Sequence, residues 1–150
     1  MKGNCIPVFD TRKHPRGNDS DWLKRWSYAR TIVPEHDGDP DVEVAEKDPI
    51  SNWATLGLYG WRYGSDLIGS IRTIMFMNET VNGEFYMAPT YNYALKHTDL
   101  MEVPYEAFLD LGTPEALEAN RAEALSRYGT RPVMGVPDEE NPVASELPKA

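Results

Sequence analysis

Residues Trp53 to Tyr63 constrain the fold of this chain most, because aromatic and aliphatic side chains fall on both faces of an extended segment, as in a central strand covered on two sides. A helical pattern follows at once. Ser65 can cap that helix, Asp66 lies in its first turn, and Leu67, Ile68, Ile71, Ile74 and Met75 recur at intervals of three and four, with an end near Asn78. A strand buried on both faces needs other elements packed against it, so the chain is read as mixed α/β.

The flanking segments supply those elements. Ile6 to Phe9 reads as a short buried strand, and residues 10–22, with Arg12, Lys13, His14, Pro15, Arg16, Gly17 and Asn18, as a loop. Trp26 to Val33 reads as a second strand that turns at His36-Asp37-Gly38-Asp39-Pro40 into Val42-Glu43-Val44, giving a hairpin. A second helix is expected from Pro89 to Lys96, with proline in its first turn. Leu100 to Phe108 alternates as a strand, and Pro104 places it near a sheet edge. Thr113-Pro114-Glu115 starts a third helix, which runs through Leu117, Ala124 and Leu125 to Tyr128 and is closed by Gly129. Crossover connections in this order imply some parallel pairing. Residues 1–130 read as one domain part and residues 131–150, rich in proline, acids and small residues, as a disordered tail.

Composition narrows the function. Asp and Glu outnumber Lys and Arg by 24 to 15, for a formal net charge of -9, which argues against a nucleic-acid partner. An anionic ligand must then be met by local cations or by magnesium. No apolar run approaches the length of a membrane span, and the mean hydropathy is -0.54. Cys5 is the one cysteine, so no intrachain disulfide forms and a cysteine-rich zinc site is excluded. The apolar segment from Cys5 to Phe9 is short and interrupted by Pro7, unlike a secretory signal, so the expected setting is a reducing cytoplasm.

Three segments carry candidate chemistry. Glu46 and Lys47 adjoin at a strand end: they are either a solvated surface pair or a site in which Lys47 meets a phosphate and Glu46 accepts from hydroxyls. Asp110, between Leu109 and Leu111, reads as a turn or capping aspartate, or as a magnesium ligand at the end of an apolar strand. Gly83-Glu84 reads as a plain turn before a helix, or as a place where free N–H groups and Glu84 meet a hydroxylated ligand. Gly57, Gly60 and Gly64 match no dinucleotide or P-loop fingerprint. His14, His36 and His97 lack metal-ligand spacing, and Ser27, Ser51 and Ser70 lack a nucleophile elbow. Asp37-Gly38-Asp39 has the Asp-x-Asp form of a glycosyltransferase metal site, but its surroundings read as a hairpin loop.

Read together, Val44-Ala45-Glu46-Lys47, Ser51-Asn52-Trp53-Ala54-Thr55-Leu56-Gly57-Leu58-Tyr59, Asn82-Gly83-Glu84-Phe85 and Leu109-Asp110-Leu111-Gly112-Thr113-Pro114-Glu115 resemble the sugar-phosphate nucleotidylyltransferases, of which glucose-1-phosphate thymidylyltransferase is the familiar type. The match runs from Ile6 to Ala119. The resemblance implies a Rossmann-like, GT-A-like mixed sheet with flanking helices. It also implies that Glu46 and Lys47 bind the sugar phosphate, with Lys47 catalytic, that Gly57, Leu58 and Tyr59 line the sugar pocket, that Glu84 lies near the sugar, and that Asp110 binds Mg2+. The family's Thr-Asp after the Gly-Glu element is replaced here by Ala88-Pro89.

The family's glycine-rich loop for the nucleoside triphosphate is not found in this sequence, so the chain resembles the C-terminal, sugar-binding half. Such a half is expected to work in nucleotide-sugar and polysaccharide biosynthesis only with a nucleotide-binding half, encoded with it or separately. It would be inactive alone. The alternative reading is a non-catalytic module that binds sugar phosphate for regulation or assembly, and either reading allows an oligomer.

Overall fold

The structure, a computed structural model, describes residues 3–33 and 41–129. Two compact units divide the chain, Met1–Ala107 and Phe108–Ala150.

The first unit is built on a mixed sheet of five strands among the described residues: β1 Asn4–Asp10, β2 Ser27–Ile32, β3 Asp41–Glu46, β4 Trp53–Thr55 and β5 Thr98–Glu102, in the order β3-β2-β4-β1-β5. Only the β1–β5 pairing is parallel. The expected mixed α/β sheet is therefore what forms, with β5 at one edge and the β2–β3 hairpin at the other. The turn of that hairpin, including Asp37 and Asp39, lies outside the described residues, as do residues 131–150.

Burial explains the order. Strand β1 is apolar on both faces and lies inside the sheet. Ile6 and Val8 point to one side, where they pack with Ala29, Val42, Val44, Ala88 and Tyr91. Phe9, of opposite parity, meets the Trp22 ring at 6.1 Å and the Trp26 ring at 5.1 Å. Trp22 sits in the short helix α1, Ser20–Leu23, whose N-cap Asp19 accepts from the amides of Asp21 and Trp22. Helix α1 and a 3-10 turn at Thr11–Lys13 lie where the sequence reads as loop.

Helix α2, Gly64–Met77, ends where expected, with Asn78 in the left-handed conformation at its C-cap. Its start differs from the expectation. Ser65 lies inside the helix, Tyr63 is the N-cap, and no side chain caps it. The Asp66 carboxylate instead turns inward, accepting from the Leu95 amide at 2.9 Å and from Asn4 Nδ2 at 3.3 Å.

The strand expected over residues 53–63 is cut to three residues because Gly57, at φ 71, turns the chain. Its central place is kept, since β4 lies between β2 and β1, and Gly60 still exchanges two backbone hydrogen bonds with Cys5. The expected helix at Pro89–Lys96 is a 3-10 helix, Ala88–Tyr93. On its exposed side, Asn92 donates to the Val44 carbonyl at 2.9 Å and accepts from the Val44 amide at 2.7 Å, closing part of the open edge of β3 as a neighbouring strand would. Strand β5 ends at Glu102, and a 3-10 turn at Tyr105–Ala107 follows.

The second unit holds helix α3, Pro114–Tyr128, with Thr113 Oγ1 accepting from the Ala116 amide at its start and Gly129 at its end, as the sequence predicts. Among the described residues, no helix is long and apolar enough to cross a membrane.

Candidate functional site

The last residue of β3, Glu46, is fixed from across the hairpin. Ser27 pairs with Glu46 in the β2–β3 register, and its hydroxyl donates to Glu46 Oε2. Lys47 then leaves the sheet with φ 58, a conformation uncommon outside glycine, and its amide is anchored to the Trp26 carbonyl at 3.0 Å.

The Lys47 side chain reaches across the fold. Its ammonium donates to the Tyr86 hydroxyl, 39 residues away, and lies 4.4 Å from the centroid of the Tyr86 ring. Tyr86 in turn donates to Glu84 Oε2 at 2.6 Å. A tight turn delivers both partners: Val81 and Glu84 exchange backbone hydrogen bonds, and between them Asn82 and Gly83 have φ of 53 and 80, as an Asn-Gly hairpin turn requires. Glu84 therefore leaves a hairpin and does not open a helix; the 3-10 helix begins later, at Ala88.

The structure thus brings together Glu46, Lys47 and Glu84, three candidates of the sequence, and adds Ser27 and Tyr86. Tyr86 follows Glu84 at the i+2 spacing that places two side chains on one side of an extended segment, and Ser27 faces Glu46 by strand register. Those were the signals available for them. The Tyr86 hydroxyl raises the Lys47 pKa above its ordinary value, desolvation opposes this, and the charges of Glu46 and Glu84 add to the rise. Lys47 stays protonated at neutral pH. Two carboxylates act electrostatically on one ammonium, so the group offers donors and acceptors with an excess of negative charge. Such a surface suits hydroxyl groups directly; a phosphate there needs further positive charge.

Gly57, Leu58 and Tyr59 form a turn and its exit, not a strand. Leu58 is exposed, while Tyr59 packs against the core, its hydroxyl 3.3 Å from Thr55 Oγ1 and its ring 5.9 Å from that of Tyr91. Among the described residues no hydrogen bond joins these three to the Glu46–Lys47 group.

Asp110 belongs to the second unit, and residues 108–111 form no strand. Its Oδ1 accepts from the Gly112 amide at 3.0 Å and its carbonyl accepts from Asn120 Nδ2 at 2.8 Å, the geometry of a turn aspartate leading into the Thr113 cap. Among the described residues, no group of three or more His, Cys, Asp or Glu is placed to hold a metal ion.

A comparison of folds finds a solved structure similar to this chain. The likeness is to a nucleoside-diphosphate-sugar pyrophosphorylase from Vibrio cholerae RC9. Its crystal structure matches with a TM-score of 0.60 and 26% identity, over 79% of this chain and 46% of that one. The chain thus spans about half the length of the protein it resembles. No family model matches, and no curated protein matches by sequence.

Proposed function

We propose that this chain supplies the sugar-phosphate site of a nucleotidylyltransferase, which joins a sugar 1-phosphate to a nucleoside triphosphate and releases pyrophosphate. One observation carries the reading: Lys47, at a strand end, shares one hydrogen-bonded group with Tyr86 and Glu84 and feels the charge of adjoining Glu46, in a fold similar to a nucleoside-diphosphate-sugar pyrophosphorylase. Lys47 holds the sugar phosphate, Glu46 and Glu84 accept from sugar hydroxyls, and Gly57, Leu58 and Tyr59 border the sugar.

In the reaction a phosphate oxygen of the sugar 1-phosphate attacks the α-phosphorus of the triphosphate. A new P–O bond forms as the bond to pyrophosphate breaks, and the protein contributes chiefly positioning and charge neutralisation. The excess negative charge around Lys47 must be offset. Mg2+ fits that need because it keeps waters and takes phosphate oxygens, asking as little as one carboxylate of the protein. Within the second unit, Asp110, whose Oδ1 is engaged by the Gly112 amide, is the carboxylate that the family resemblance assigns to Mg2+. The triphosphate itself requires a nucleotide-binding half, carried on the same polypeptide or a separate one, and the chain alone is expected to have negligible transferase turnover.

Calorimetric titration of the purified chain with glucose 1-phosphate tests the binding role. Saturable binding that Lys47→Met weakens at least tenfold supports it, and unchanged affinity in that variant rejects it. Pyrophosphate release from the chain alone at rates typical of transferases would reject the need for a second half. A non-catalytic module would bind the sugar phosphate equally well and stay silent when a nucleotide-binding half is supplied.

A further inference from the structure

Beside the Lys47–Tyr86–Glu84 group lies a pocket of about 180 Å³ between α2 and the 85–90 segment. Ile71, Ile74 and Met75 of α2 face Phe85 and Met87 across it, with Tyr86 and Thr90 completing the wall. Its polar groups are already engaged: the Thr90 hydroxyl donates to the Met87 carbonyl, and the Tyr86 hydroxyl donates to Glu84 and accepts from Lys47. A sugar ring placed there would lose partners for the hydroxyls that turn toward the apolar wall, at a cost for each. An apolar group would meet no such cost. The volume is slightly above that of cavities of about 150 Å³ that bind benzene.

Tyr86 belongs to both places, since it lines the pocket while its hydroxyl and ring hold the Lys47 ammonium. A ligand with an anionic group on Lys47 therefore has this pocket within reach of its other end. Met75, Phe85 and Met87 are each more than 40% exposed at its rim, and two of the three are methionines, whose unbranched side chains adapt to different shapes.

We infer that this pocket binds an apolar substituent, of about the size of a phenyl ring, carried by the phosphorylated ligand that Lys47 holds. The inference rests on the proposed phosphate role of Lys47 and extends it to the class of substrate: a phosphate ester bearing a compact apolar group, as opposed to one bearing hydroxyls alone. Charge complementarity to Lys47 fixes one end of the ligand, and the apolar walls select the other.

The test compares phenyl phosphate with inorganic phosphate on the intact chain by calorimetry in the presence of Mg2+, in wild type, Lys47→Ala, and two variants that fill the pocket from its exposed rim, Met75→Trp and Met87→Trp. The expected result is that phenyl phosphate binds wild type at least tenfold more tightly than inorganic phosphate, and that either tryptophan removes this advantage while leaving inorganic phosphate affinity unchanged. Circular dichroism confirms folding of each variant, and two filling variants guard against one that fails to fold. Equal binding of the two probes to wild type overturns the inference, as does an advantage that survives both tryptophans. Inorganic phosphate binding that is indifferent to Lys47→Ala overturns the phosphate role itself, and the inference falls with it.

Discussion

Replacement of Asn4 by alanine tests whether the scaffold beneath the site is held as the geometry indicates. Asn4 is fully buried in β1, and its side chain joins three parts of the first unit. Its Oδ1 accepts from the Arg62 amide at 2.8 Å, and its Nδ2 donates to Asp66 Oδ2 at 3.3 Å and to the Lys96 carbonyl at 3.2 Å. Asp66 is buried as well, and its other oxygen accepts from the Leu95 amide. Alanine removes all three bonds. A buried hydrogen bond contributes about 1 kcal/mol net, and a buried group left without its partner costs about 1–3 kcal/mol. The two Nδ2 contacts are long and count for less than the Arg62 bond. The sum is about 3 kcal/mol, enough to consume a large part of the stability of a domain this size. Urea unfolding followed by tryptophan fluorescence measures it, with an unchanged m-value as the sign that the loss is in the native state. Asn4→Asp should be more damaging than Asn4→Ala at pH 7, because it sets a second carboxylate against Asp66. A loss below about 1 kcal/mol for Asn4→Ala would refute the claim that this side chain ties β1 to α2 and to the backbone at Arg62 and Lys96.

Other outcomes follow from single contacts. The Arg12 guanidinium donates to both carboxylate oxygens of Asp10, at 2.9 and 2.7 Å, and this pairing holds the Asp10 pKa below its ordinary value against the opposing effect of burial. A depressed carboxylate stabilises the fold above its unfolded pKa and loses that contribution as pH falls through the folded one, so Asp10→Asn should destabilise at pH 7 and match wild type progressively more closely below about pH 4 in thermal unfolding. Thr113→Ala removes the hydroxyl that accepts from the Ala116 amide, and should reduce the stability of α3 by about 1 kcal/mol, seen as helical signal lost in far-ultraviolet circular dichroism.

Elements with strong local signals were legible in the sequence. The β2–β3 hairpin, the end of α2 at Asn78 and both ends of α3 follow from alternation, a residue that tolerates the left-handed region, and a threonine–proline start. Misreadings arose where tertiary contacts overrode local pattern. Residues 53–63 carry apolar side chains on both faces, yet Gly57 turns the chain after Thr55, and Tyr59 reaches the core, partly buried, from a turn. Ser65 has the chemistry of a cap, but the helix begins one residue earlier and the nearby carboxylate serves Asn4 and Leu95 instead. Asp110 takes the turn reading that its sequence already allowed, its carboxylate closing a turn on Gly112, while the strand expected before it stops at Glu102. Within the candidate site, adjacency in sequence pointed to Glu46 and Lys47. The link of Tyr86 to Lys47 required the fold, since 39 residues separate the two side chains that meet there.

The central claim is that Glu46, Lys47, Glu84 and Tyr86 form one sugar-phosphate site, and its most direct test is amide chemical-shift mapping of the chain titrated with a sugar 1-phosphate. The account predicts saturable shifts concentrated at residues 46–47 and 82–86, abolished together in Lys47→Met while the rest of the spectrum stays folded. Shifts that fall elsewhere, or that persist unchanged in Lys47→Met, would contradict it.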